Sequence, residues 1–256
     1  MNHNAPICIF DIETIPDTQT GKLLYPQLAD LSEEEAITEL QKIRQEEAGS
    51  DFMRLPLHKI ACLSFLWFEN QTLKLHSLSL ENHDEQGILS TFLRAFNKKP
   101  TLISWNGANF DLPVLLYRMA HHKLNATALL QGNNSAKGYL NRYSQSHIDL
   151  MQKFSFEAWG NKQKLDIIAS LCGFAGKGEI DGHQVVPMVL EDRWQELTTY
   201  CESDVINTWL IYIRYQLLTG EIDMQTADNA VNFTKNYLQT LTNADGKPRH
   251  ARFYEE

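Results

Sequence analysis

Asp11 and Glu13 are the first residues whose types and spacing could support chemistry. They follow the apolar run ICIF at positions 7–10, which predicts a buried β-strand. Residues two apart point to the same face of a strand, so both carboxylates should project from one face. Two negative charges on a core strand are costly unless a cation neutralises them. Because Mg²⁺ and Mn²⁺ prefer carboxylate oxygens, the pair predicts a divalent metal site.

Asp111 is a second candidate. It follows an apolar stretch at 101–105 and a turn at Asn106 and Gly107, and it begins a helix predicted to run to about residue 121. Asp is a favoured N-cap and Pro113 suits the first turn, so Asp111 taken alone fits a capping role. An acid at the carboxyl end of a sheet strand also lies where α/β proteins form ligand sites.

Tyr200 and Asp204 are a third candidate pair, inside a long helix predicted from Trp194 to Leu218. Residues four apart share one face of a helix. Taken alone, Asp204 fits a surface position, and its neighbour Glu202 is predicted to be solvated charge. The pair indicates a chemical role only when it is considered together with Asp11, Glu13 and Asp111.

The elements that must position these residues alternate in type. Strands are predicted at 7–10, 58–68, 73–78, 101–105 and 147–150, and residues 69–71 join the second and third as a hairpin. Further helices are predicted from about 84 to 98, at 165–171 and at 224–241. This order suits an α/β sheet with an antiparallel meander at one edge.

A helix is also predicted between the first two strands. Ser32 with Glu35 fits a capping box, and Gly49 fits a C-terminal stop. This helix could cover an active site or be a solvated surface helix. The last residues, 243–256, have turn composition and are predicted to form an extended arm.

The composition narrows the class of protein. The chain has 256 residues, 43% of them hydrophobic, and a formal net charge of −9. It lacks the global basic charge of a protein that coats duplex nucleic acid. No apolar run is long enough to span a bilayer, and we expect no signal peptide. The four cysteines have no metal-finger spacing, so reduced thiols in a cytoplasmic protein are expected.

The three acidic motifs, in this order and in these elements, resemble the DnaQ-like exonucleases, which are named for four acidic residues in three motifs. The sequence FDIET at 10–14 and Asn-x-x-x-Phe-Asp at 106–111 are most similar to the exonuclease domain of family-B DNA polymerases. The chain also resembles freestanding proteins described as predicted 3′–5′ exonucleases related to that domain. The resemblance covers roughly residues 5–220.

The resemblance implies a fold. It predicts an α/β protein with a ribonuclease H-like mixed five-stranded sheet flanked by helices. One exonuclease domain would span 1–256, with a core of about 5–220, a helical insertion at about 17–57, and a C-terminal helix plus tail at 221–256.

The resemblance also implies roles for the candidate residues. Two ions, Mg²⁺ or Mn²⁺, would be held by Asp11, Glu13, Asp111 and Asp204, with Asp11 bridging both. Because Tyr200 lies four residues before Asp204, the chain is similar to the tyrosine branch of the superfamily, and Tyr200 would aim the attacking water. Its ordinary pKa, near 10, favours positioning over base catalysis.

Contacts to the substrate are implied less directly. Thr14 and Ile15 would hold the terminal nucleotide, Phe110 could stack on a base or lie in the core, and Asn106 could bind the backbone or only form a turn. A phosphate track could use four basic residues, each of which also fits a solvated surface: Arg142, Lys162, Lys164 and Lys177.

The implied function is a metal-dependent 3′–5′ exonuclease that releases nucleoside 5′-monophosphates from the 3′ ends of single-stranded DNA. Two alternatives stay open: an exoribonuclease that trims RNA, since no motif reads the 2′-hydroxyl, and a non-catalytic module that only binds nucleic acid. A proofreading role would need a polymerase or repair partner, which the sequence does not name. No membrane partner is expected.

Overall fold

The central element of the protein is a mixed β-sheet. The computed structural model describes residues 5–131, 138–141, 145–156, 158–176, 178 and 182–255. Within these ranges the strands are β1 Ile7–Pro16, β2 His58–Glu69, β3 Thr72–Ser79, β4 Thr101–Ser104 and β5 His147–Asp149. Their order in the sheet is β3-β2-β1-β4-β5. The first three form an antiparallel meander and the last two run parallel to β1, so the predicted mixed five-stranded sheet is confirmed.

Helices cover both faces of this sheet. They are α1 Thr18–Leu24, α2 Glu33–Ala48, α3 Glu85–Ala95, α4 Asp111–His121, α5 Thr127–Gln131, α6 Leu150–Phe154, α7 Leu165–Leu171, α8 Val185–Leu190, α9 Trp194–Leu218 and α10 Met224–Gln239. The four that the sequence does not predict, α1, α5, α6 and α8, are short, with five to seven residues each, about two turns or fewer. No helix in the described ranges is both long enough and apolar enough to cross a membrane.

β1 is the central strand, and it is longer than predicted. Its alternate residues enter two different cores: Ile7 and Ile9 pack on the side of α9, whereas Cys8 and Phe10 pack on the side of α3 and α4. β4 pairs only with residues 7–9 of β1. Beyond residue 9, β1 therefore continues without its parallel neighbour, which leaves an opening at the carboxyl ends of β1 and β4, where α/β proteins form their sites.

α9 is buried around most of its circumference. It packs against the sheet on one side and against α7, α8 and α10 on others. Its apolar residues accordingly do not follow a single stripe, and side chains such as Val205, Trp209 and Tyr212 are all buried. Residues 200–213 are all buried, so a polar side chain in this stretch faces another element or a cavity rather than bulk solvent.

Residues 17–57, between β1 and β2, form a small helical layer of their own. Ser32 and Glu35 make the predicted capping box at the start of α2, and Gly49 ends the helix with φ 70°. Leu28, Leu40 and Met53 pack together as a separate apolar cluster with Leu57. The two ends of the segment are joined where the Asp17 N–H donates to the Leu57 carbonyl at 2.8 Å.

A buried ion network fixes the base of this segment. The Arg118 guanidinium, on α4, makes an ion pair with Asp17 and two hydrogen bonds to Glu85, at 2.8 and 2.7 Å. His122 also contacts Glu85 at 2.8 Å. Since Arg118, Asp17 and Glu85 are all buried, their charges are stable only because they are paired with one another.

The C-terminal residues do not form the extended arm that we predict from composition. Residues 242 and 248 form a bridge that turns the chain back, and Phe253 enters the core beside α9. Arg249 and His250 contact the Glu202 carboxylate at 2.7 and 2.9 Å. The prediction of Glu202 as solvated charge is also wrong, because this side chain is buried and is bound by the C-terminal segment and by the Ser77 hydroxyl of β3.

Candidate active site

Asp11 and Glu13 lie on the face of β1 that is turned toward α9. Side chains alternate between the two faces of a strand, so Asp11 and Glu13 share this face with Ile7 and Ile9. Glu13 is buried and Asp11 is partly exposed. The Cys201 thiol of α9 donates to the Asp11 carbonyl at 3.5 Å and to its carboxylate at 3.8 Å. Asp11 of the first motif is thus in direct contact with the helix that carries the third, and a Glu13 oxygen lies within 4.8 Å of the same thiol.

Asp111 is not the N-cap of α4. The cap position belongs to Phe110, which makes no side-chain capping bond. The Asp111 carboxylate instead accepts a hydrogen bond from the Ile12 N–H of β1 at 3.2 Å. The interpretation of Asp111 as a simple cap is therefore wrong: its side chain is directed across to the strand that carries Asp11 and Glu13.

Tyr200 and Asp204 lie one turn apart on α9, and both are buried. A surface position for Asp204, which its neighbours alone suggest, is therefore wrong. The burial has a physical cause, since this half of α9 packs on β1 and β2. Both side chains line the same cavity as the acids of β1 and α4.

The cavity has a volume of about 610 Å³ and opens at the carboxyl ends of β1 and β4. This volume lies in the usual range for pockets that hold small ligands. Every residue that the sequence singles out as catalytic, metal-binding or substrate-binding, apart from the predicted phosphate track, lines it. These residues are Asp11, Glu13, Thr14, Ile15, Asn106, Phe110, Asp111, Tyr200 and Asp204.

The predicted phosphate track is only partly placed. Lys164 lines the cavity, whereas Lys162 is exposed and does not. Arg142 and Lys177 lie outside the described residues.

The acids influence one another through their charges. Burial raises the pKa of Asp111 to about 7, and the negative charges of Asp149 and Asp204 add to this effect, while the Ile12 N–H opposes it. A bound cation would reverse the shift, because positive charge favours the ionised carboxyl group.

The donor atoms suit a hard divalent ion. Oxygens of Asp11 and Glu13 lie within 4.8 Å of each other and of the Cys201 sulfur. Burial raises the pKa of the Cys201 thiol well above its usual range, with a further contribution from Cys62. The thiol therefore stays protonated and donates to Asp11, which leaves carboxylate oxygens as the donors. Such oxygens fit Mg²⁺ or Mn²⁺.

Asp149 is an acid of this region that sequence reasoning did not select. It is buried at the end of β5, and it accepts hydrogen bonds from the N–H groups of Asn106, Ala108 and Met151 at 3.0–3.1 Å. Asp149 therefore holds the loop between β4 and α4 that precedes Asp111. The sequence signal that could have identified Asp149 is an Asp at the end of a short strand, directly before a helix.

His58 is another residue that the sequence did not single out. It lines the cavity from the start of β2 and is buried. Its Nε2 contacts the Met53 carbonyl at 3.2 Å, and its Nδ1 contacts the Thr14 hydroxyl at 2.8 Å. A carbonyl can only accept, so Nε2 carries the proton and Nδ1 accepts from Thr14.

The pKa of Asp111 gives a prediction for protein in EDTA. Folding raises the pKa of this carboxyl group. The group therefore stabilises the folded protein at pH values below the pKa that it has in the unfolded chain, about 4. That contribution is lost as the pH rises to about 7. Asp111→Asn keeps an acceptor for Ile12, so its melting temperature should match wild type near pH 4 and exceed it at pH 8. Thermal scans of both proteins between pH 4 and pH 8 would measure this difference in melting temperature. Asp228→Asn, at an exposed position of α10, is the control. Wild-type and Asp111→Asn curves that stay parallel would contradict the prediction.

The sheet order and the acidic cavity define a ribonuclease H-like α/β domain. A family model described as "Predicted 3'-5' exonuclease related to the exonuclease domain of PolB" matches residues 50–256. The chain belongs to this family, so the resemblance seen in the motifs is confirmed. The matched residues include Asp111, Tyr200 and Asp204, whereas Asp11 and Glu13 precede them.

Two polymerases are similar to the chain. The catalytic subunit of DNA polymerase epsilon from Schizosaccharomyces pombe is 27% identical over 137 residues, which are 52% of this chain and 6% of that protein. The structure of the family B DNA polymerase from the hyperthermophilic archaeon Pyrobaculum calidifontis aligns with a TM-score of 0.55 and 14% identity. That alignment covers 100% of this chain and 28% of the polymerase. The second likeness shows the shared fold, and the chain spans only a small part of either relative.

Proposed function

We propose that the protein is a metal-dependent 3′–5′ exonuclease that removes nucleoside 5′-monophosphates from the 3′ ends of single-stranded DNA. The observation that carries the proposal is the meeting of four acids from three distant elements in one cavity. Asp11 and Glu13 come from β1, Asp111 from α4 and Asp204 from α9. Membership of the exonuclease family supports the reaction type.

The four carboxylates would hold Mg²⁺ or Mn²⁺. Bound there, such ions supply an activated water and positive charge against the phosphate oxygens. Within the protein, the Ile12 N–H keeps the Asp111 carboxylate turned toward β1, and the Cys201 thiol contacts Asp11. These contacts fix the donor oxygens before substrate binds, so little reorganisation is needed during the reaction.

The reaction is a hydrolysis at phosphorus. A water oxygen forms a bond to the phosphorus of the terminal nucleotide, and the bond to the 3′ oxygen of the preceding nucleotide breaks. The released 3′ oxygen takes up a proton, and the product is a nucleoside 5′-monophosphate. Tyr200, buried one helical turn before Asp204, would hydrogen-bond the attacking water and orient it.

The terminal nucleotide would be held beside the acids. Thr14 and Ile15 follow directly after Glu13 on β1, and Phe110 directly precedes Asp111, so all three lie next to the proposed reaction centre. Asn106 also lines the cavity, and its backbone is fixed by Asp149. The net charge of −9 disfavours binding along a duplex, which supports action on a free strand end.

Digestion of oligonucleotides tests this proposal. A single-stranded DNA labelled at its 5′ end should be shortened stepwise in Mg²⁺ or Mn²⁺, with 5′-monophosphates released and no cleavage in EDTA. A matched duplex should be cut more slowly, and a matched RNA would show whether ribose is accepted. Tight binding of the strand with no cleavage in either metal would contradict the proposal and favour a binding module.

A further inference from the structure

Three aromatic rings form a cluster at one end of the cavity. Phe52, His58 and Phe110 lie with ring centroids 5.1–5.5 Å apart, and each ring contacts the other two. All three side chains line the cavity. They come from three parts of the chain: the segment between β1 and β2, the first residue of β2, and the residue before α4.

Phe52 is the exposed member of this cluster. Its side chain is 55% exposed, although it is large and apolar. The apolar cluster of its own segment consists of Leu28, Leu40, Met53 and Leu57, with further partly buried residues, and does not include Phe52. The ring is therefore not needed to fill that core. An aromatic side chain presented toward a cavity suits contact with a ligand.

The backbone holds Phe52 in this place. The Arg44 side chain of α2 donates to the Phe52 carbonyl at 2.9 Å, and the Phe52 N–H donates to the Ser50 hydroxyl at 3.2 Å. α2 thus carries the residue that fixes Phe52, and Gln41 of the same helix also lines the cavity. A side chain whose backbone is already fixed loses less entropy when it binds a ligand.

The cluster is uncharged at neutral pH. Burial lowers the pKa of His58 to about 4, and its two nitrogens are satisfied by Met53 and Thr14. His58 therefore supports the rings of Phe52 and Phe110 as a neutral aromatic ring. A neutral surface of this kind attracts the face of a nucleobase and makes no charge contact with phosphate.

The cluster also lies beside the acids. Phe110 is bonded to Asp111 in the chain, and Thr14, which contacts His58, is bonded to Glu13. The cavity therefore has an acidic part and an adjacent aromatic part. A nucleotide has a phosphate, which suits metal ions held by the acidic part, and a base, which suits the aromatic part. The two parts of the cavity therefore fit a nucleotide.

We propose that the segment at 17–57 forms a wall of the substrate cavity and that Phe52 stacks on a nucleobase near the 3′ end of a bound single strand. The inference rests on the proposed function and adds a substrate-binding residue from outside the acidic motifs. Stacking on the face of a base is tolerant of sequence, so Phe52 would strengthen binding of any strand that carries bases.

Kinetics with Phe52→Ala test the inference. On single-stranded DNA, KM should rise about tenfold with a much smaller change in kcat, as expected for loss of one stacked base. Phe52→Trp should restore the wild-type KM. The control is Phe233→Ala on α10, a Phe that is 41% exposed and does not line the cavity, and it should leave KM unchanged. Equal KM values for wild type and Phe52→Ala would overturn the inference.

A second substrate separates stacking from damage to the fold. An oligonucleotide with abasic sites at its last three positions should be cut equally by wild type and Phe52→Ala, because there is no base to stack. A rate loss on this substrate as large as that on normal DNA would overturn the inference in favour of a structural role.

A measurement of DNA binding tests the role of Phe52 even if the protein does not cleave DNA. If wild type degrades no strand, the proposed exonuclease activity fails, and fluorescence anisotropy with labelled single-stranded DNA in Mg²⁺ then decides the inference alone. Weaker binding by Phe52→Ala, restored in Phe52→Trp, would support stacking. Equal binding by wild type and Phe52→Ala would overturn it.

Discussion

Replacing Asp204 with Asn should lower the rate of 3′-end digestion by about a thousandfold or more and leave the protein folded. The loss is large because an amide removes one of the four negative charges that would hold the ions, and metal catalysis contributes several kcal/mol of barrier lowering. The fold should persist, since the change is isosteric. The negative charge of Asp204 also contributes to the raised pKa of Asp111, so its removal should keep or raise stability in EDTA.

Kinetic assays and thermal scans measure these two effects separately. Asp11→Asn should behave in the same way, because it lies in the same cavity. Asp228→Asn makes the same chemical change on the exposed side of α10, and it should retain wild-type activity. An Asp204→Asn protein that digests single-stranded DNA at the wild-type rate would remove Asp204 from the mechanism.

Replacing Arg118 with Met should lower the free energy of unfolding by about 3–5 kcal/mol. The guanidinium is 3% exposed, and its loss would leave Asp17 and Glu85 buried without their cation. Hydrogen bonds from Thr20 and Ile60 and the contact with His122 would remain, but no guanidinium would offset the desolvation of the two carboxylates. Because Asp17 directly follows β1, we expect the destabilisation to loosen residues 17–57 first.

Urea unfolding of Arg118→Met beside Arg193→Met measures this difference. Arg193 also pairs with two glutamates, Glu191 and Glu196, but its side chain is 38% exposed. Surface pairs contribute little, so Arg193→Met should lower the free energy of unfolding far less than Arg118→Met does. Similar costs for the two variants would show that the buried network is not important for stability.

Local rules explain what the sequence predicts correctly. Alternation along a strand places Asp11 and Glu13 on one face, and the four-residue spacing of Tyr200 and Asp204 places them on one face of a helix. The capping box at Ser32 and the stop at Gly49 depend on only a few neighbouring residues. Each of these features is decided within a turn of helix or a pair of strand positions.

The features that the sequence does not predict depend on distant partners. Arg118 and Asp17 are 101 residues apart, and Arg249 lies 47 residues from Glu202. Without the fold, each of these charged residues fits a solvated surface, which is why Glu202 and the C-terminal segment were predicted wrongly. The same limit applies to Asp111, whose contact with Ile12 spans 99 residues.

Phe52 shows the limit for substrate contacts. Its sequence neighbours, between a helix stop and the start of β2, give it no recognisable pattern. Only the packing of residues 17–57 against β1 brings its ring to His58 and Phe110. Residues contributed by the segment at 17–57 follow no motif spacing, so the structure is needed to find them.

A crystal grown with Mn²⁺ and a nucleoside 5′-monophosphate tests the central claim most directly. Anomalous scattering locates manganese directly, whatever the surrounding protein atoms. We predict manganese bound by the carboxylates of Asp11 and of at least two among Glu13, Asp111 and Asp204, with the nucleotide phosphate on the same ion. A map in which manganese is absent from this cavity, or in which the nucleotide binds elsewhere, would contradict the assignment of the four acids to a nuclease centre.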